Sequence, residues 1–452
     1  MVQLLNHIHL FAHNEEYAFF DKETFSLTSL NKPTYQVIEM LQKGIGVKEV
    51  SLNLNIPLEE IKSLTARLSR KVNEVSLTEE KQEKPVIRRI TLHISNDCNL
   101  RCKYCYASGG NYKMKRGLMT EETANSFIDF CVQNFGKVEN IVFFGGEPFM
   151  NPSIIKYVCE KFTRLKNEGV IDYCPNFGAI TNGTMMTEEV KTVVEKYFSF
   201  ITVSIDGPQA INDFNRVDRY GKGSYERIED FIERIKEMPN MLLRYEATFT
   251  KQHLLEGYTH QSLQEFFKAE FGIEGDVVNE QSMEKENMYS NMVVETKDDK
   301  TDYDSTFWSV LAAVVEKQSK TMCPLYRGML AVSVDGELYP CHMNAGDKDC
   351  SLGNVKGESI YNNKDSFVKK QPGLKNNFKD NSVCNKCWSN KICGGCSRLW
   401  FYDEDKHVYN TYPKERLCQA NNRYLEQILF QIIHLRKNPQ KWNRFVSELK
   451  IA

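Results

Sequence analysis

Fourteen cysteines in a chain of 452 residues, unevenly spread, constrain this sequence more than any other feature. Three form Cys98-x3-Cys102-x2-Cys105, three stand singly (Cys131, Cys159, Cys174), and eight lie between Cys323 and Cys418. Their meaning depends on the compartment. Met1–Leu10 has no basic stretch followed by an apolar run, so no signal peptide is expected. Apolar runs such as Phe198–Ile205 and Val310–Val315 fall far short of the ~20 residues of a membrane span. The net charge of −2 gives no reason to expect a nucleic-acid or membrane-surface partner. The expectation is a cytoplasmic protein, where disulfides are rare and clustered cysteines bind metal or carry redox chemistry. The three single cysteines read as ordinary buried thiols.

Residues 1–76 read as a separate small domain. His7–Ala12, Glu16–Asp21 and Thr24–Leu27 alternate like short strands, followed by helical patterns at Tyr35–Gln42, Val47–Leu52 and from Pro57. This order suggests a winged-helix arrangement. As a DNA-binding module it lacks a clear basic stripe in the third helix, and an exposed third strand can instead accept a peptide as an added strand. Residues 77–86 read as a polar linker. From 87 to 320, strand patterns at Ile90–Ile94, Ile141–Phe144, Asn176–Ile180, Phe200–Ile205 and Arg244–Phe249 alternate with helical ones such as Glu121–Phe135 and Glu188–Tyr197. That is an α/β class with a parallel sheet forming an open or closed barrel. The charged stretch containing Asp276, Glu284, Glu286 and Lys297–Lys300 reads as a solvated insertion. Residues 321–420 are rich in cysteine and glycine, and 421–452 return to helical periodicity.

Three thiolates on a loop after a strand can hold three corners of a 4Fe–4S cluster and leave one iron open. The competing reading is a zinc site, which usually wants four ligands; His93 could be the fourth, but it lies in the strand and faces a layer of the barrel. The spacing of Cys98, Cys102 and Cys105, with Tyr104 before the last, resembles the radical S-adenosylmethionine (SAM) superfamily. Gly145-Gly146-Glu147-Pro148, Thr181-Asn182-Gly183 and Ser204-Ile205-Asp206-Gly207-Pro208 end successive strands, where barrel enzymes place chemistry. The resemblance implies a partial (β/α)6 barrel, a SAM-binding 4Fe–4S cluster, and SAM contacts from Tyr104, Gly145, Gly146, Glu147, Asn182, Ser204, Asp206, Arg216 and Arg244. It also implies an external electron donor such as flavodoxin or ferredoxin, and radical chemistry begun by a 5′-deoxyadenosyl radical.

The later set resembles the SPASM extension of that superfamily, which holds two auxiliary 4Fe–4S clusters. Cys323 is followed by twelve residues, Gly336, four residues and Cys341; then come Cys384-x2-Cys387-x5-Cys393-x2-Cys396 and, after a gap, Cys418. Taken alone, the two tight pairs would also suit zinc. The family commonly has three residues between the last two cysteines of the tight group, where this chain has Gly394-Gly395. The resemblance implies an outer cluster on Cys384, Cys387, Cys393 and Cys418, and an inner one on Cys323, Cys341 and Cys396, with Cys350 a candidate fourth ligand unless that site is open. With the SAM cluster, that makes three.

Members of this group mostly modify peptides or proteins. With its N-terminal domain, the chain resembles thioether-forming maturases of ribosomally made peptides (the ranthipeptide and sactipeptide type) that carry a leader-recognition element. The resemblance implies a precursor peptide with a leader as partner. Sulfatase maturases, which make formylglycine, generally lack that domain and carry Asp after the cysteine matching Cys341; here it is His342, which can also act as a base. Formylglycine formation and C–C peptide cross-linking are the alternatives. A DNA-binding iron–sulfur sensor is a further one, although a sensor needs no SAM site.

Overall fold

The N-terminal alternation becomes an antiparallel sheet of β1 (Ile8–His13), β2 (Glu16–Asp21) and β3 (Ser26–Leu30), in that order. The chain is described by a computed structural model at residues 5–69, 84–272, 276–279, 305–319, 325–374, 382–394 and 396–449. β3 starts at Ser26, two residues later than its pattern suggests, because Asp21 builds the turn. Its carboxylate accepts from the Glu23 and Thr24 N–H groups and from the Thr24 hydroxyl, and Phe25 takes a left-handed conformation (φ 54°). Helices α1 (Lys32–Gln42), α2 (Val47–Leu54) and α3 (Leu58–Ser69) follow. Asn31 caps α1 by accepting from the Thr34 N–H at 2.8 Å. Val37, Leu41, Val50 and Ile61 bury their apolar faces against Leu5 and Ile8.

The larger unit is an α/β sheet in which six neighbouring parallel strands run in chain order: β4 (Arg89–Ser95), β5 (Asn140–Gly145), β6 (Asn176–Thr181), β7 (Phe198–Ser204), β8 (Leu242–Phe249) and β9 (Asp276–Asn279). Five match the sequence pattern. The sixth falls in the stretch read as a solvated insertion, a reading the structure corrects for these four residues: Asp276–Asn279 pairs in parallel with Glu246–Phe249. Tertiary pairing of the backbone to an open edge outweighs the charged surroundings. Glu284, Glu286 and Lys297–Lys300 lie outside the described residues. Of the linker expected at 77–86, residues 77–83 also lie outside, while Val86–Ile87 pairs with Lys137–Val138.

Helices α4 (Glu121–Asn134), α5 (Pro152–Asn167), α6 (Glu188–Tyr197), α7 (Tyr225–Lys236) and α8 (His260–Phe271) connect the strands. Thr120 and Thr187 cap α4 and α6. Alternation along the strands sorts the side chains. Leu92, Phe143, Phe177, Ile201 and Tyr245 are buried in the core shared with the helices. Cys131 and Cys159 lie in that core on α4 and α5, fully buried. The opposite face, carrying His93, Phe144, Ile180, Thr202, Ser204 and Glu246, lines the barrel lumen.

After α9 (Ser305–Glu316), β10 (Met329–Val332) joins the sheet beside β4 and is followed by its antiparallel partner β11 (Leu338–Tyr339). The cysteine-rich region is thereby built onto the edge of the barrel sheet. The last long helix, α10 (Glu415–Arg436), starts before the helical region expected from residue 421 and carries Cys418 in its first turn. Among the described residues, no helix is long and apolar enough to cross a membrane.

The free face of the N-terminal sheet docks on this C-terminal half. Phe11, Phe20 and Leu27 share one core with Val310, Leu311, Leu429 and Phe430. Phe11 meets Phe430 edge-on at 4.8 Å. His9 stacks on Trp388 at 3.9 Å and bonds Glu426 at 2.8 Å. Lys22 donates to the carbonyls of Asn385 and Cys387, at 3.3 and 3.4 Å. Phe11→Ala should therefore destabilise the docked protein by about 3–5 kcal/mol, read as an earlier denaturant transition by tryptophan fluorescence; an unchanged transition would show that this face contributes little.

Candidate active site

The cysteine loop leaves the carboxyl end of β4, and other strand ends hold it closely. Gly145 (φ 126°) and Gly146 are forced by contact: a Cβ on Gly145 would lie 2.1 Å from the Ser95 carbonyl oxygen, and one on Gly146 would lie 2.1 Å from that of Asp97. The Gly146 and Glu147 N–H groups donate to those same two carbonyls, at 2.8 and 2.9 Å. Gly110 closes the loop from the other side, where a Cβ would meet the Gly146 Cα at 2.6 Å and the Cys98 Cβ at 2.8 Å.

Within this frame Cys105 lies close enough to Cys98 and Cys102 to raise the proton affinity of both. Burial is the larger cause: it pushes the Cys98 thiol up to about 11 and the Cys102 thiol up to about 12. Such thiols become thiolates at neutral pH when a metal displaces their protons. The gathered donor set fits a 4Fe–4S cluster with one iron left for a ligand that the protein does not supply.

The residues expected to touch SAM divide into groups. Glu147 is fully buried and ties strand ends together, accepting from the Phe149 N–H (3.0 Å), the Thr181 hydroxyl (2.7 Å) and the Asn182 N–H (2.8 Å). Burial pushes its carboxyl up to about 7, against those three donors. Asn182 reaches the cluster loop, donating to Asn99 at 2.8 Å and to the Cys98 sulfur at 3.5 Å. Tyr104, Asp206 and Arg216 meet one another. The Tyr104 hydroxyl donates to Asp206 at 2.9 Å and accepts from Arg216 at 2.6 Å. Among the described residues, Asp206 Oδ2 and Arg216 Nε remain without a hydrogen-bond partner. Ser204 lies at the carboxyl end of β7, half-buried on the lumen face. Arg244 is exposed near the amino end of β8. The β8 residues that approach are Glu246 and Thr248, the latter donating its N–H to Asp206 at 3.2 Å.

The second cysteine set forms two neighbourhoods. Cys384 lies near Cys387 and Cys418. Asn421 and Asn422 on α10 donate to the Cys393 and Cys387 sulfurs, at 3.6 and 3.9 Å. Cys341 lies near Cys396. Cys323 lies outside the described residues. Cys350 is fully buried, its sulfur within reach of Asn344 (3.4 Å), Asp347 (3.6 Å) and the Tyr402 hydroxyl (3.6 Å).

One lumen joins the two regions. Burial holds the Tyr106 hydroxyl well above the usual phenol range, and Cys105, Cys341 and Glu246 lie close enough to add to the effect. The Tyr106 hydroxyl lies 3.4 Å from that of Tyr112. Tyr112 packs edge-on to His93 at 4.8 Å, His93 to Phe144 at 5.2 Å, and Phe144 to His342 at 5.4 Å. Tyr106, Tyr112, Phe144 and Glu246 belong to no motif in the sequence. The signal for Phe144 and Glu246 was the two-residue period of their strands, which puts them on the same face as His93 and Ser204.

Residues 92–268 match the Radical SAM superfamily, and residues 323–388 match the iron–sulfur cluster-binding SPASM domain. The chain is 28% identical over 190 residues to the radical SAM cyclopropyl synthase TigE of Paramaledivibacter caminithermalis, covering 39% of this chain and only 37% of that relative. It is 24% identical over 369 residues to a cysteine-type anaerobic sulfatase-maturating enzyme of Clostridium perfringens, covering 76% of this chain and 96% of the relative. It is 23% identical over 377 residues to the antilisterial bacteriocin subtilosin biosynthesis protein AlbA of Bacillus subtilis, covering 78% and 75%. A solved anSMEcpe structure with bound AdoMet shares the fold, at 21% identity and a TM-score of 0.58, covering 80% of this chain and 98% of that one.

Gly146→Ala should lose one cluster's worth of iron after anaerobic reconstitution, since its Cβ would strike the cysteine-loop backbone. Gly117→Ala, with nothing within 4 Å of the added Cβ, should keep its iron. Equal iron in both would detach the glycine contact from cluster binding.

Proposed function

We propose that this radical SAM enzyme with a SPASM domain matures a ribosomally made precursor peptide by forming thioether links from cysteine sulfur to carbon. The observation that carries this reading is the packed row that links the two regions: Tyr112 beside the cysteine loop meets His93 at 4.8 Å, His93 meets Phe144 at 5.2 Å, and Phe144 meets His342, the neighbour of Cys341, at 5.4 Å. A substrate held there is within reach of both. When bound, SAM and its cluster supply a 5′-deoxyadenosyl radical, and the auxiliary clusters take up the electron left when a C–H and an S–H bond give way to C–S.

The chain's own residues do the rest. Cys98, Cys102 and Cys105 hold the SAM cluster. The Gly145–Gly146 turn and Asn182 shape its surroundings, with Ser204 and the Asp206–Arg216 pair beside it. Cys341 and Cys396, with Cys323, hold the inner auxiliary cluster; Cys384, Cys387, Cys393 and Cys418 hold the outer one. Electrons come from a donor of the flavodoxin or ferredoxin kind. The apolar rings of Phe144 and Tyr112 exclude water from the radical.

We assign the three strands and three helices at the N terminus to leader binding. β3 pairs with no strand but β2 among the described residues; Arg436 donates to the Leu27 carbonyl at 3.0 Å, and the stretch from Thr28 on leaves an edge to which a peptide can add. The similarity to a bacteriocin biosynthesis protein supports a peptide substrate. A second reading, formylglycine formation in a sulfatase, is supported by the similarity that spans nearly the whole of a sulfatase-maturating enzyme.

Anaerobic co-expression with a cysteine-containing precursor separates the two. Thioether formation removes two hydrogens per link and leaves those cysteines resistant to alkylation. An aldehyde at cysteine, or an unchanged peptide, overturns it. Ser29→Pro removes an N–H on the outer edge of β3, where proline is tolerated, and should weaken leader binding about tenfold by fluorescence anisotropy. Unchanged affinity would move the leader elsewhere.

A further inference from the structure

His93 is a buried polar group that nothing in the fold uses. It is 0% exposed, and among the described residues neither ring nitrogen has a hydrogen-bond partner. Buried polar groups are nearly always paired, and leaving one unpaired typically costs 1–3 kcal/mol. The packing around it is well formed: Tyr112 lies edge-on at 4.8 Å and Phe144 at 5.2 Å. The Tyr112 hydroxyl is turned away, donating to the Gly145 carbonyl at 3.0 Å.

Its place in the barrel indicates what it meets. His93 pairs across the sheet with Phe144, and Ser95 pairs with Gly145. His93 therefore points into the lumen just below the glycine turn that supports the cysteine loop: its partner Phe144 directly precedes Gly145, and a bulge between His93 and Ser95 takes up the extra residue. It faces the side from which His342 enters, beyond Phe144. A ligand at His93 thus lies deeper than the strand ends and between the two cysteine regions.

The chemistry narrows the ligand. Burial keeps the ring neutral, lowering its proton affinity to about 3 with His342 adding to the effect. A neutral imidazole offers one donor and one acceptor. Bringing an ion into this aromatic box would carry a large desolvation cost. A peptide amide, with one N–H and one C=O, matches both the neutrality and the pairing.

We propose that His93 is a substrate-positioning residue that hydrogen-bonds a backbone amide of the peptide and holds the acceptor residue against the radical. This rests on the peptide-maturation reading and adds the residue that sets the depth of the substrate. The test uses the reconstituted holoenzyme with its full-length precursor peptide, comparing wild type, His93→Gln and His93→Phe. Glutamine keeps a donor and an acceptor; phenylalanine fills the space without either. Iron content and near-ultraviolet circular dichroism confirm that each variant is folded and loaded.

In His93→Phe, KM for the peptide and the ratio of 5′-deoxyadenosine released to links formed should each rise about tenfold, because an unheld substrate lets the radical quench unproductively. His93→Gln should recover most of both. Wild-type values in both variants would overturn the assignment. So would an equal loss in both of 5′-deoxyadenosine formation without peptide, which would place His93 on SAM. A wild-type enzyme that links no peptide yet makes 5′-deoxyadenosine would overturn the peptide reading, and the assignment with it.

Discussion

The contact between two stretches of bare backbone, the cysteine loop after β4 and the glycine turn after β5, is what the rest of the site depends on. A Cβ at either Gly145 or Gly146 would sit 2.1 Å from a carbonyl oxygen of the opposing chain. Hydrogen bonds from Gly146 and Glu147 to Ser95 and Asp97 fix that approach. Because the loop cannot move away from the turn, three thiols that would repel one another as anions are held together at the mouth of the barrel. Glu147 extends the same constraint to β6, since its carboxylate is occupied by donors from Phe149, Thr181 and Asn182. The residue that the motif suggests for a ligand contact is thus one that ties strands together.

A second constraint comes from the cysteine-rich region. β10 and β11 extend the barrel sheet beyond β4, and Cys341 and His342 follow directly on β11. Joining the two regions through one sheet sets the spacing between Cys105 and Cys341 with the rigidity of paired strands. On the far side, the N-terminal sheet rests on α10 and on the Cys384–Cys387 turn through Lys22, His9 and Trp388. The proposed leader-binding module therefore touches the backbone of the proposed outer cluster loop, so its placement and the integrity of that loop are coupled.

Much of this was legible in the sequence because it is local. Strand periods, the glycine pair and the cysteine spacings each report on a few adjacent residues, and five of the seven parallel strands follow from them. β9 was not legible, since Asp276–Asn279 becomes a strand only by pairing with β8. The mutual pairing of Tyr104, Asp206 and Arg216 was equally hidden, because they meet across 112 residues of chain. Arg244 lies near the amino end of β8 and is exposed, a position within the strand that the residue type alone does not reveal. Cys350 was distinguishable from its neighbours only once Asn344, Asp347 and Tyr402 were seen around its sulfur.

The central claim is that a peptide enters the lumen and gives up a hydrogen atom there. The most direct measurement is mass spectrometry of the 5′-deoxyadenosine released when the precursor peptide carries deuterium at the acceptor residue. The account predicts deuterium in the 5′-deoxyadenosine in proportion to the links formed. Links formed with unlabelled 5′-deoxyadenosine, from every deuterated position tried, would contradict it.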